Sequence, residues 1–182
     1  MRAVPLALAG VVLLEHQRFE DPRGAFFESW NERAFAAAGI EARFVQENVS
    51  VSKALVLRGL HYQIPHSQGK LVRVLAGAIF DVVVDLRRSS PTFGRSLAVN
   101  LDATHAQSLW VPGGYAHGFL ALADDTRVQY KVTDFWSRDS EHTLAWNDPA
   151  LAIRWPIAAG ATPLLSDKDR GGALLAQAET LP

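Results

Sequence analysis

Over residues 79–87 the chain alternates strictly. Phe80, Val82, Val84 and Leu86 occupy one set of positions, and Asp81, Val83, Asp85 and Arg87 the other. That period of two marks a β-strand, whose successive side chains point to opposite faces of a sheet. Further strands are predicted at 11–14, 93–101, 107–111, 116–123 and 127–133, punctuated by turn formers such as Ser89-Ser90-Pro91 and Pro112-Gly113-Gly114. Asp124-Asp125, between the last two, predicts a hairpin. One early segment predicts a helix: Asn31 is a good N-cap, Glu32 suits the first turn, residues 34–38 are helix formers, and Gly39 fits the position that ends it. A second short helix is expected around 173–179, in an otherwise irregular tail. Many short strands with little helix argue for an all-β barrel or sandwich.

Composition narrows the picture. The chain has 182 residues, 48% apolar and 20% charged, as expected of one globular domain with a full core. A formal net charge of −1 gives no general attraction to nucleic acid or to an anionic membrane. Any polyanionic ligand must therefore meet a local cluster of Arg and Lys. The absence of cysteine excludes disulfides, a thiolate nucleophile and Cys-ligated zinc, and fits a cytoplasmic location. Arg2 precedes an apolar run over 3–14 in which Ala7-Leu8-Ala9 resembles a signal-peptidase site. Pro5 breaks that run and only one basic residue leads it, so a buried strand over 11–14 is the better reading. No stretch approaches the length of a membrane span.

Candidate chemistry gathers in a few places: Arg58-Gly59-Leu60-His61-Tyr62-Gln63 with Gln68-Gly69-Lys70 after it, the run 112–119, and Tyr130-Lys131. On a strand, His61 and Gln63 share one face, and Leu60, Tyr62 and Ile64 the other. Tyr130 shares its face with Val128 and Val132, so its hydroxyl points inward and needs a partner or a task. A core tyrosine with a satisfied hydroxyl, or a histidine that merely supports packing, would fit the same pattern. The density of inward polar groups (Arg58, His61, Gln63, Lys70) favours a ligand cavity. His66 reads as a surface loop residue, and His16, His105 and His142 sit in polar contexts without a role. Pro112-x-Gly114-x-x-His117 matches half of the metal-site pattern of cupin barrels. The other half offers only His61-x-Gln63 and a nearby Lys70, a poor ligand set. The pattern suggests a cupin barrel rebuilt for acid–base work, with no metal and no cofactor.

Several blocks, in this order, resemble the dTDP-4-dehydrorhamnose 3,5-epimerase family from about Val4 to about Asp169. They include Asp21-Pro22-Arg23-Gly24, Gln46-Glu47-Asn48-Val49-Ser50, Arg58-Gly59-Leu60-His61, Lys70-Leu71-Val72-Arg73, the run 112–119, Trp146-Asn147-Asp148-Pro149 and Leu165-Ser166-Asp167-Lys168-Asp169. The resemblance implies a mainly β, cupin-like double-stranded β-helix (a jelly-roll barrel) with one or two short peripheral helices. It implies a single domain over 1–182 with its barrel core at about 44–146, working as a homodimer. Carried onto matching positions, it makes His61 the base, Asp169 the carboxylate that orients it, Tyr130 the opposing acid and Lys70 the support for an enolate. Arg58 and His117 match further pocket positions, and Gln46 and Asn48 match residues that contact the sugar nucleotide. Arg23, Phe26 and Glu28 match a stretch that reaches the active site, in part from the partner subunit. Phe135 and Trp136 match an aromatic position near the base of the nucleotide, where many relatives carry Tyr.

The implied reaction is epimerisation of dTDP-4-dehydro-6-deoxy-D-glucose at C3 and C5, in dTDP-L-rhamnose synthesis. The C4 ketone acidifies both neighbouring carbons, so proton removal and return need neither metal nor redox cofactor. A sister enzyme inverting only C3 or only C5 would share the same base and acid. A metal-dependent cupin oxygenase is a remoter alternative, and a non-catalytic binding module would have no reason to carry His61, Asp169, Lys70 and Tyr130 together.

Overall fold

The computed structural model describes residues 1–182. Its thirteen strands are β1 (Arg2–Pro5), β2 (Val12–Glu15), β3 (Arg18–Asp21), β4 (Gly24–Phe27), β5 (Gln46–Ser52), β6 (Leu57–Gln63), β7 (Lys70–Ala76), β8 (Ala78–Asp85), β9 (Ser96–Asp102), β10 (Gln107–Val111), β11 (Tyr115–Ala121), β12 (Thr126–Val132) and β13 (Glu141–Thr143). They form a six-stranded sheet in the order β1-β2-β10-β7-β12-β5, a five-stranded sheet in the order β13-β6-β11-β8-β9, and a separate β3–β4 ribbon. Pairing is antiparallel throughout these sheets.

The two large sheets face each other, giving the expected jelly-roll barrel. Val72, Val74, Leu109 and Val128 from one sheet pack with Ile79, Val83, Leu101 and Phe119 from the other. The outer face of the five-stranded sheet is also covered: Leu60, Tyr62, Val82, Val84 and Leu86 lie under Leu151, Ala178 and Trp155 of the C-terminal segment. The strict alternation of β8 therefore separates two buried faces. Its apolar face lies under the tail, and Asp81 and Asp85 point the other way, both fully buried. Asp85 accepts from Arg87, Ser90 and Thr92.

Helix α1 (Glu32–Ala37) starts where Asn31 predicts, with the Ala34 N–H donating to Asn31 Oδ1 at 3.1 Å. It buries Phe35 against Leu14, Ile40 and Leu71 on the outside of the six-stranded sheet. The strand expected over 11–14 is β2, Val12–Glu15, with Leu14 buried in it and Val11 buried just before it. No helix is long and apolar enough to cross a membrane.

Three expectations need correction. Asp124-Asp125 does not close a hairpin: β11 pairs with β6 and β8, whereas β12 pairs with β5 and β7 in the other sheet. The turn is a barrel corner, tied across by the Ala54 N–H donating to Asp124 Oδ1 and by Thr126 Oγ1 donating to the Ala123 carbonyl. The second helix is α2 (Asp167–Arg170), not 173–179. The latter run makes one isolated bridge, Ala173 to Leu144, and then a turn whose Ala178 packs on the sheet, so tertiary contact overrides a helical composition. His16 is buried rather than polar in its surroundings, hydrogen-bonded to Ser108 and packed by Phe27 and Phe35.

Candidate active site

The sheets do not pack tightly along their whole length. Towards the end of the barrel where β6, β11 and β13 meet β5, β7 and β12, inward positions carry polar side chains, and a cavity of about 400 Å³ opens. Gln46, Asn48 and Ser50 line it from alternate positions of β5, Lys70 from β7 and Tyr130 from β12. Arg58, His61 and Gln63 line it from β6, His117 from β11 and Glu141 from β13. In a regular strand Arg58 and His61 would point to opposite faces. The register of β6 on β11 slips between the His117–His61 and Phe119–Arg58 pairs, and this bulge turns both side chains into the cavity. It depends on glycine: a Cβ on Gly118 would lie 2.5 Å from the Arg58 carbonyl oxygen, and one on Gly59 2.7 Å from Gly118 Cα.

His61 Nε2 donates to Asp169 Oδ1 at 2.6 Å. Nδ1 is thus the ring nitrogen left for the cavity, the geometry of a base held in one tautomer. Asp169 is 4% exposed and comes from the distant helix α2. Burial pushes its pKa up, but hydrogen bonds from His61, Ser166 and the Gly59 N–H outweigh that and hold it at about 2. The carboxylate therefore stays ionised and can stabilise an imidazolium. A second pair lies beside it: His117 Nε2 donates to Asp81 at 2.8 Å, and burial raises the pKa of Asp81 against the opposing effect of His117.

The opposite wall carries Tyr130 and Lys70. Tyr130 packs on the barrel core, and burial raises its pKa, with the Arg58 charge acting in the other direction. It remains a proton-bearing phenol at neutral pH. Lys70 is 7% exposed, and loss of hydration lowers its pKa to about 8 although Glu141 pulls it upward. A buried ammonium close to neutrality is a strong donor to an oxygen that gains negative charge.

The mouth is ordered by amides. Gln63 Nε2 donates to the His66 and Phe135 carbonyls, Gln68 Nε2 to the Asp134 carbonyl, and the Trp136 N–H donates to Gln46 Oε1. Gln63 thus fixes the loop that brings Trp136 to the cavity. Arg58 donates through Nε to Ser52 and through Nη2 to the Val51 carbonyl.

The cavity of one chain brings together His61, Tyr130, Lys70, Arg58, His117, Gln46, Asn48 and Trp136, with Asp169 directly behind His61. It does not include Phe135, whose ring is exposed, or Arg23, Phe26 and Glu28. Arg23 and Phe26 lie on or at the turn of the β3–β4 ribbon, where Phe26 is 71% exposed and Arg23 pairs with Asp21 at 2.6 Å. Sequence reading missed Glu141 and Lys168, which form an ion pair at 2.9 Å on the cavity wall. Lys168 lay within a matched block, next to Asp169. Glu141 had no sequence signal, because only its pairing with Gln63 across β13 and β6 brings it to the site. No group of three or more His, Asp or Glu side chains is placed to hold a metal ion.

The sequence model of the dTDP-4-dehydrorhamnose 3,5-epimerase family matches residues 5–177. The chain is 50% identical to dTDP-4-dehydrorhamnose 3,5-epimerase of Pseudomonas aeruginosa over the full length of both. It is similar to the crystal structure of a Legionella pneumophila dTDP-6-deoxy-D-glucose-3,5-epimerase in complex with dTDP-4-keto-L-rhamnose, with a TM-score of 0.93 and 41% identity over 98% of this chain and 94% of that one. A 3′-monoepimerase from Streptomyces bikiniensis, in complex with dTDP-quinovose, matches with a TM-score of 0.88 and 37% identity over 94% of this chain and 87% of that one. On these grounds the chain belongs to the dTDP-4-dehydrorhamnose 3,5-epimerase family.

Proposed function

We propose that this protein epimerises dTDP-4-dehydro-6-deoxy-D-glucose at C3 and C5 to dTDP-4-dehydro-L-rhamnose, in dTDP-L-rhamnose biosynthesis. The observation that carries the reading is the placement of the His61–Asp169 pair on one wall of a cavity and of Tyr130 and Lys70 on the wall opposite. A sugar ring held there presents one face to a base and the other to an acid.

In each half-reaction neutral His61 takes the proton from a carbon next to the C4 ketone. The C–H electron pair moves into the ring, and the charge collects on O4, where the Lys70 ammonium can donate a hydrogen bond. Tyr130 then delivers a proton to the opposite face of the same carbon, inverting the centre. The resulting imidazolium and phenolate return to their starting states by proton exchange with solvent. Arg58, whose guanidinium is held by Ser52 and the Val51 carbonyl, offers charge to the diphosphate. Trp136 offers a face to the thymine.

The ribbon supports a homodimer. Phe19 and Phe26 are 54% and 71% exposed on a two-stranded element that pairs with neither large sheet. Such a ribbon fits a role in a partner's site better than one in its own chain, which would bring Arg23, Phe26 and Glu28 to a neighbouring cavity. A cytoplasmic location goes with a nucleotide-sugar substrate and a cysteine-free chain.

Proton NMR of the sugar after incubation tests the function. Inversion at C3 and C5 is expected. Inversion at one centre would make the protein a mono-epimerase like its Streptomyces bikiniensis relative, and an unchanged sugar would refute the activity.

A further inference from the structure

Asp169 cannot orient His61 unless something orients Asp169. Its carboxylate sits at the third position of α2, a helix of only four residues, too short to fix a side chain by itself. Two groups hold it. The Gly59 N–H, from the bulged strand β6, donates to Oδ1 at 3.1 Å, sharing that oxygen with His61. Ser166 Oγ donates to Oδ2 at 2.6 Å. The same Ser166 oxygen accepts from the Asp169 N–H at 3.2 Å, so the residue caps the helix and grips the carboxylate at once.

From this geometry we infer that Ser166 is a positioning residue for the epimerisation: its hydroxyl locks the Asp169 carboxylate so that Oδ1 faces the imidazole. The inference rests on the function proposed above. The two oxygens have divided duties. Oδ2 is held by Ser166 and Oδ1 by His61 and the Gly59 N–H, so rotation of the carboxylate would break these bonds, and His61 is kept with Nδ1 toward the cavity. The hydroxyl also withdraws charge from the carboxylate, which sets how strongly Asp169 holds a proton on its partner.

The surrounding charges leave this role to Ser166. His61 of β6 is the only titratable group hydrogen-bonded to Asp169. Glu141 of β13 is tied to Lys168 at 2.9 Å, and on α2 itself Arg170 pairs with Asp167 at 2.6 Å. His117 is engaged by Asp81.

The test compares Ser166→Ala, Ser166→Thr and Ser166→Asp with the parent protein, measuring kcat, KM and the pH dependence of kcat/KM. Losing one hydrogen bond to a charged group should lower kcat about tenfold in Ser166→Ala, with KM little changed. Without the donor the carboxylate becomes more basic and favours a protonated partner, so the acid limb of the profile should move to higher pH. Ser166→Thr keeps the hydroxyl and should restore both values. Ser166→Asp keeps a capping oxygen but cannot donate while ionised, so it should fall at least as far as Ser166→Ala despite an intact cap. A merely structural role would scale activity at every pH without moving the limb. A Ser166→Ala variant with parental kcat and profile, or a Ser166→Thr variant as impaired as Ser166→Ala, would overturn the assignment. Failure of the parent to turn over the keto sugar would instead fault the proposed reaction.

Discussion

His61 and Tyr130 stand on opposite walls, so substitutions at the two should separate proton abstraction from proton delivery. His61→Ala is expected to abolish turnover while leaving the thermal unfolding curve in place. Tyr130→Phe should keep solvent exchange at the abstracted position and lose most inversion; normal epimerisation by that variant would mean another group is the acid. Lys70 has a pH signature of its own. Its pKa falls from 10.5 to about 8 on folding, so its charge is lost as pH rises through about 8, and kcat should fall there. The unfolded chain binds more protons at this group between those values, so its contribution to stability rises with pH over the same window. Rate and unfolding measurements across pH 7–10 should therefore move in opposite directions for this group. Much of this was legible: alternation alone put His61, Gln63 and Tyr130 on inward faces. The orienting carboxylate was not, since Asp169 lies 108 positions from His61 and nothing in local pattern joins them. Family resemblance supplied that link, and only the fold supplied Glu141.

At the scale of elements, the bulge where β6 meets β11 makes the site possible. It needs the bare Cα atoms of Gly59 and Gly118, which approach too closely for any side chain. Gly118→Ala should cost about 1–3 kcal/mol through overpacking, read as a lower urea midpoint. Activity should fall with it, because Arg58 and His61 would no longer share a face. Phe35→Ala, on the buried face of α1 and away from the cavity, should cost about 3–5 kcal/mol yet leave the kcat of the folded fraction unchanged. Helix α1 was readable because its signals are local: an Asn31 cap, an alanine run and a terminal glycine. The corner at Asp124-Asp125 was misread because a tight acidic turn looks alike whether its strands pair with each other or part to different sheets. Only the partners of β11 and β12 decide between the two.

The whole molecule is a barrel with an apolar interior at one end and a lined cavity at the other, and a ribbon that serves neither. Phe26→Asp tests the proposed homodimer: if the ribbon joins two copies, sedimentation should shift towards monomer, and activity should drop although His61, Tyr130 and Lys70 are untouched. A monomeric parent protein with full activity would rule out the partner's contribution. The barrel class was legible from strand number and turn spacing, whereas a role for the ribbon came only from the family resemblance, because exposure of Phe19 and Phe26 is a property of the assembled fold. In the proposed reaction one base and one acid act across a single sugar ring at both carbons flanking the ketone. Incubation with dTDP-4-dehydro-6-deoxy-D-glucose in D₂O, followed by NMR and mass spectrometry, tests it most directly: deuterium at both C3 and C5 is the predicted result, and a sugar that gains none would contradict it.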